Sequence, residues 1–190
     1  MCRLCGFAGH RREMSEAEKE ERRLRSLKLR MATMSAKLAE LEATQRAQEA
    51  RKRITSDLMN SGIMSYKFWE VPSHYYDLSL EERAVLLQAH KSQLCKSILF
   101  ENTACSHNNV DDATDSKYYC VVVQYQAKIN TTMLKAHIHA LREPSDRLSK
   151  NSFNLQLAQE DKSLELSGYG HNAICPFGLI ERNVPIIVCD

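Results

Sequence analysis

Leu24, Leu27, Met31, Met34, Leu38 and Leu41 fall at alternating spacings of three and four residues. That spacing is the a and d seam of a coiled coil, held for about three heptads and continued weakly through Gln45 and Gln48. The surrounding stretch, residues 13–58, has no Gly or Pro and is filled with good helix formers. It predicts one long helix. A lone helix cannot bury such a stripe, so the seam calls for a second copy, a helix of another protein, or the body of this chain.

The pattern changes at "MNSGIMS", 59–65, whose Ser, Asn and Gly suit a hinge. From there to residue 190 short apolar runs alternate with amphipathic ones. Ser79 with Glu82 three residues later makes a capping box ahead of a helix. "CKSILFE" (95–101) reads as a strand. "YYCVVVQYQ" (118–126) is nearly all β-branched or aromatic, which suggests a central strand covered on both faces. The polar stretch between them reads as a loop. Thr131 or Thr132 can cap a helix through about residue 141. "FNLQLA" predicts a short strand, "AQEDKSLELS" a short helix and "VPIIVCD" a last strand. Strands alternating with helices argue for an α/β sheet.

Composition adds limits. The hydrophobic fraction is 43%, the charged fraction 26% and the net charge +2, as in a soluble globular protein. No apolar run approaches the ~18 residues of a membrane span, and the first residues lack the apolar core of a secretory leader. A cytoplasmic setting is the expectation. Seven cysteines, scattered through apolar segments, do not form a disulfide framework. Residues 1–12 read as a flexible tail; its Cys2, Cys5 and His10 resemble half of a zinc site, without a second pair at finger spacing. No metal or other cofactor is expected. Arg22, Arg23, Arg25, Lys28 and Arg30, with Arg11 and Arg12 before them and Arg51, Lys52 and Arg53 after, give either a solvated helix face or an arm that touches phosphates.

The run "LSGYGHNAICPFGL" (166–179) contains three of the chain's six glycines. Glycine serves where the backbone takes positive φ or comes very close to something else. Two uses fit: a tight turn in a core, or a loop whose N–H groups form a binding surface.

The order of pieces then matters. A strand opens with Lys96; an apolar strand and a helix follow; then come Leu157, Ala158, Glu160, Leu166, Gly168, Tyr169, Pro176 and Gly178, and an apolar strand. This order resembles the YbaK/ProX family of aminoacyl-tRNA deacylases, over about residues 66–190. The resemblance implies a single mixed-sheet editing domain with flanking helices over 59–190, behind the coiled-coil helix. It implies a metal-independent trans-editing hydrolase that cleaves a wrong small amino acid from tRNA, chiefly tRNA for proline. The expected partners are the acceptor end of aminoacyl-tRNA, a synthetase, and a second copy or partner helix along 24–48.

The implied chemistry is ester hydrolysis by water, with help from a substrate hydroxyl. Backbone donors would stabilise the oxyanion. Lys96 matches the family's pocket lysine, and Gly170, His171 and Asn172 complete the expected catalytic group. Gly168, Tyr169, Ala173, Pro176, Gly178, Asn102 and Tyr76 are expected to bind substrate. Asn172 stands where the family motif often has a second glycine, and Asn tolerates left-handed backbone better than most residues. His171 either bonds the substrate or caps a turn; Tyr76 either stacks on adenine or covers core. Family members usually continue past "VPIIVCD" with another helix and strand, so an exposed apolar sheet edge is expected. A catalytically silent tRNA- or synthetase-binding adaptor is the alternative expectation.

Overall fold

The computed structural model describes residues 14–189. The expected tail, 1–12, with Cys2, Cys5, His10, Arg11 and Arg12, lies outside the described residues. Helix α1 spans Glu16–Asn60. It begins at a reciprocal cap, in which Ser15 and Glu18 bond each other's amides, and ends where Gly62 turns left-handed at φ 72°. The seam residues from Leu24 to Leu41 are 45–69% exposed, so nothing among the described residues covers them.

The compact units divide between Gln48 and Glu49, inside α1, while the expected hinge at 59–65 holds the helix's end. The second unit contains a four-stranded sheet in the order β3-β1-β2-β4: β1 (Cys95–Asn102), β2 (Tyr118–Gln124), β3 (Leu155–Leu157) and β4 (Ile186–Val188). β1 runs antiparallel to β2 and β3, and β4 runs parallel to β2. The mixed α/β sheet expected from sequence is therefore present.

β2 is central, as its unbroken apolar run requires: Tyr119, Cys120 and Val121 are fully buried. Alternation sends their side chains to opposite faces. Leu99, Tyr118, Cys120, Tyr169, Leu179 and Val184 form one core layer. Phe100, Tyr119, Val121, Leu134, Ile138, Phe153 and Leu155 form the other.

Helix α2 (Leu80–Leu86) starts at the Ser79–Glu82 capping box. Helix α3 (Thr131–Ala140) is capped by Asn130 and not by Thr131 or Thr132. The Asn130 side chain accepts from the amides of Thr132 and Met133, two of the donors a helix start leaves unpaired. Helix α4 (Glu160–Ser167) runs into Gly168. At the sheet edge Ile186 and Val188 are 48% and 71% exposed. No helix of the described residues is long and apolar enough to cross a membrane.

Candidate active site

The glycine turn answers to two demands at once. Gly168 sits at φ 71° and ends α4; a Cβ there would lie 2.7 Å from the Arg53 guanidinium and 2.8 Å from Ile180. Gly178 sits at φ 69°, and its Cβ would meet the backbone nitrogen of Ile54 at 2.7 Å. These two glycines let the turn close on the last turns of α1. Arg53 donates from Nε to the Gly178 carbonyl (3.0 Å) and from Nη2 to the Gly168 carbonyl (3.1 Å). Asp57 accepts from the Gly178 amide at 2.8 Å. Tyr169 is buried beneath, with its hydroxyl donating to the Phe177 carbonyl at 2.6 Å and its phenol pushed up to about 12 chiefly by burial. Gly168 and Gly178, expected in the pocket wall, instead serve packing, and Pro176 lines neither hollow described below.

The middle of the turn is different. A Cβ on Gly170 would meet nothing within 4 Å. Asn172 takes left-handed geometry, φ 58°, the conformation its glycine-like position suggested. The Ala173 amide closes a tight turn on the Gly170 carbonyl at 3.1 Å. The amides of Gly170, His171, Asn172 and Ile174 donate to no acceptor among the described residues.

Two neighbouring hollows use this segment. The larger, about 540 Å³, is lined by Tyr76, Cys95, Lys96, Ser97, Ile98, Tyr125 and Asn172 to Ile174. The other, about 380 Å³, includes Ser97, Leu157, Glu160, Tyr169, Gly170 and His171. Ser97, Ile98, Asn172 and Ile174 belong to both. Lys96, Asn172, Ala173 and Tyr76 are thus brought together, while Gly170, His171 and Tyr169 stand in the adjoining space.

The strand register sets how Lys96 arrives. It shares a face with Ile98 and Phe100, opposite Val123, Val121 and Tyr119. Tyr169 and Ile174 pack on the other face, with Leu99. Lys96 therefore leaves the sheet on the side away from the turn, and the larger hollow wraps around the edge of β1. That edge is open because β3 pairs only with Phe100 to Asn102. Leu99 offers its carbonyl outward to the Ala158 amide, and by alternation Ser97 presents its N–H and C=O the same way. The Lys96 ammonium lies 5.9 Å from the Tyr125 ring centre and has no ion-pair partner among the described residues.

Tyr76 donates its hydroxyl to the Asn172 carbonyl at 2.7 Å, which ties the loop before α2 to the turn. Its phenol is raised by burial and by Tyr125 beside it. Arg83 lies over Tyr75, Tyr76 and Tyr125 at 5.3–5.5 Å. Tyr125 and Arg83 were not singled out in the sequence; Tyr125 sits one residue past β2, where alternation no longer predicts its direction.

Two other expected residues do structural work. Asn102 is fully buried. Its amide donates to the Ser152 carbonyl and its oxygen accepts from Ala104 and Asn154, which fastens β1 to the segment before β3. With no exposed surface it is out of a substrate's reach. His171 faces Glu160 at 3.4 Å, with both side chains more than 70% exposed, so water weakens that pair.

A further group escaped sequence reading, because His107 had no ligand-like spacing. Cys105, His107 and Asp115 lie within 4.8 Å of one another in the β1–β2 loop. His107 accepts from the Asn109 amide through Nδ1 (3.2 Å) and meets Asp115 through Nε2 (3.3 Å). Both ring nitrogens are occupied by the loop itself.

No family model matches the sequence, and no curated protein does. Among solved structures, a candidate trans-editing enzyme for prolyl tRNA synthetase matches with a TM-score of 0.53 and 18% identity, over 74% of this chain and 71% of that one. A computationally designed epitope-grafting scaffold matches with a TM-score of 0.51 and 16% identity, over 74% and 70%. Likeness at this identity is likeness of fold: the chain folds like the trans-editing protein, as a mixed α/β sheet with flanking helices.

Proposed function

We propose that the second unit is an aminoacyl-tRNA deacylase acting in trans, with tRNA for proline carrying a wrong small amino acid as its substrate. The observation that supports this most is the hollow at the β1 edge, whose lining includes Lys96, without an ion-pair partner among the described residues, and Asn172 and Ile174, whose amides donate to no acceptor among them. Water adds to the ester carbonyl, and the carbonyl oxygen becomes an oxyanion. Donors already fixed in place stabilise it without reorganising. The carbon–oxygen bond to the ribose then breaks, and the ribose oxygen takes a proton. Lys96 steadies charge as a compact cation. In this reading water, not a side chain, is the nucleophile; burial pushes the Cys175 thiol up, away from thiolate.

Purified protein incubated with tRNA for proline charged with alanine, serine, threonine or cysteine should release amino acid faster than buffer does. Lys96→Ala should lower the rate by about 100-fold, as loss of one preorganised charge-stabilising group does. Equal rates for wild type, variant and buffer with every substrate would sink the reading.

The alternative is an adaptor that binds tRNA or a synthetase without turnover. Lys96 leaving the sheet on the face away from the turn favours it. Tight binding of charged tRNA without release of amino acid would decide for it. In either case the seam on α1 serves association.

A further inference from the structure

Helix α3 and the segment leading to β3 enclose a third hollow, of about 490 Å³, that neither reading above uses. Its lining includes Lys135, His139, Arg147 and Lys150, over a floor of Ala136, Ala140 and Phe153. Lys135 and His139 are four apart on α3 and share a face; the alanines keep that face low. Arg147 is held by its Nε donating to the Arg142 carbonyl at 3.0 Å. The His139 ring stands edge-on to Phe153 at 6.5 Å.

No carboxylate lines this hollow. Among the described residues neither Lys135 nor Lys150 has an ion-pair partner. From Glu49 onward acidic residues outnumber basic ones, so this is a local concentration of cation against the unit's balance. Unpaired ammonium and guanidinium groups held apart around a concavity repel one another, which favours an anion between them. A flat lipid surface would not reach the apolar floor of a concave site. A phosphodiester with its ribose presents both parts: charge to the rim and a carbon face to the alanines and Phe153.

We propose that this hollow binds the phosphodiester backbone of RNA, as a contact for the tRNA body separate from the Lys96 hollow; the identity of the RNA rests on the deacylase reading. Binding of full-length protein to uncharged tRNA should be measured over a range of salt, comparing wild type with the triple variant Lys135→Ala, Arg147→Ala, Lys150→Ala. Affinity should fall by about tenfold or more near 100 mM salt, and the slope of log K against log salt should shrink by about two. Lys91→Ala, which removes an ion-paired lysine, should leave both unchanged. Charge-retaining Lys135→Arg with Lys150→Arg should restore the slope, which separates loss of contact from loss of fold. Unchanged affinity and slope in the triple variant would overturn the proposal. So would loss of pyrophosphate binding, or of binding to phosphatidylserine vesicles, with tRNA binding intact. Uncharged tRNA reports on this hollow whether or not charged tRNA is hydrolysed, so the two proposals fail separately.

Discussion

Gly170 and Gly178 are eight residues apart in one turn and face opposite demands. Gly178 is left-handed and its missing Cβ is replaced by rigid backbone of α1. Gly178→Ala should cost about 2 kcal/mol or more, from the left-handed penalty alone plus the clash. Gly170→Ala should change stability by less than about 0.5 kcal/mol, since it adds a methyl to open space. Urea unfolding of both variants measures the contrast. The cysteines divide in a similar way. Cys95 is exposed, while burial pushes Cys120 up to about 12 and raises Cys175. Brief alkylation at pH 7.5 followed by mass mapping should label Cys95 and spare Cys120 and Cys175. At this scale the sequence told only part of the story: the left-handed bend at Asn172 could be argued from its glycine-like position, but the roles of Gly168 and Gly178 depend on Arg53 and Ile54, more than a hundred residues away. Asn102 is hidden for the same reason, since two of its three side-chain partners, Ser152 and Asn154, lie across the β1–β3 junction, some fifty residues on.

Among the elements, the last turns of α1 act as a brace. Arg53 and Asp57 between them hold both ends of the glycine turn through charged hydrogen bonds, each worth roughly 1.5–3 kcal/mol when part-buried. Arg53→Ala should therefore destabilise the second unit by about 2 kcal/mol and speed amide exchange within 168–178 far more than within β2. Equal acceleration in both would refute the brace. The strands are legible from their apolar runs, α2 from its capping box and α4 from the polar-apolar stretch that runs into Gly168. The brace was not, since "RKRITSD" reads only as more helix, and nothing in its spacing says which backbone its charges will meet. The departure of Lys96 from the turn's face was hidden likewise, because alternation fixes a face only once the register with β2 is known.

For the whole molecule, the seam and the sheet present separate questions. Six apolar residues exposed in a row on α1 are a larger patch than a lone helix leaves in water. Full-length protein should sediment above monomer mass. Leu27→Gln with Met34→Gln should return it to monomer without changing deacylation, if the seam only associates. A monomeric wild type would mean that the seam waits for another protein.

The parallel pairing of β4 with β2 has its own consequence. Parallel neighbours need a long crossover, and here that crossover carries α3, β3, α4 and the whole glycine turn before Ile186 can reach Cys120. The β1–β2 pair closes over residues 103–117, whereas the β4 pairing closes over residues 125–185 and is slower for that reason. A newly made chain would thus own its hairpin before it owns its cleft, and the hollow at the β1 edge would be among the last places to take shape.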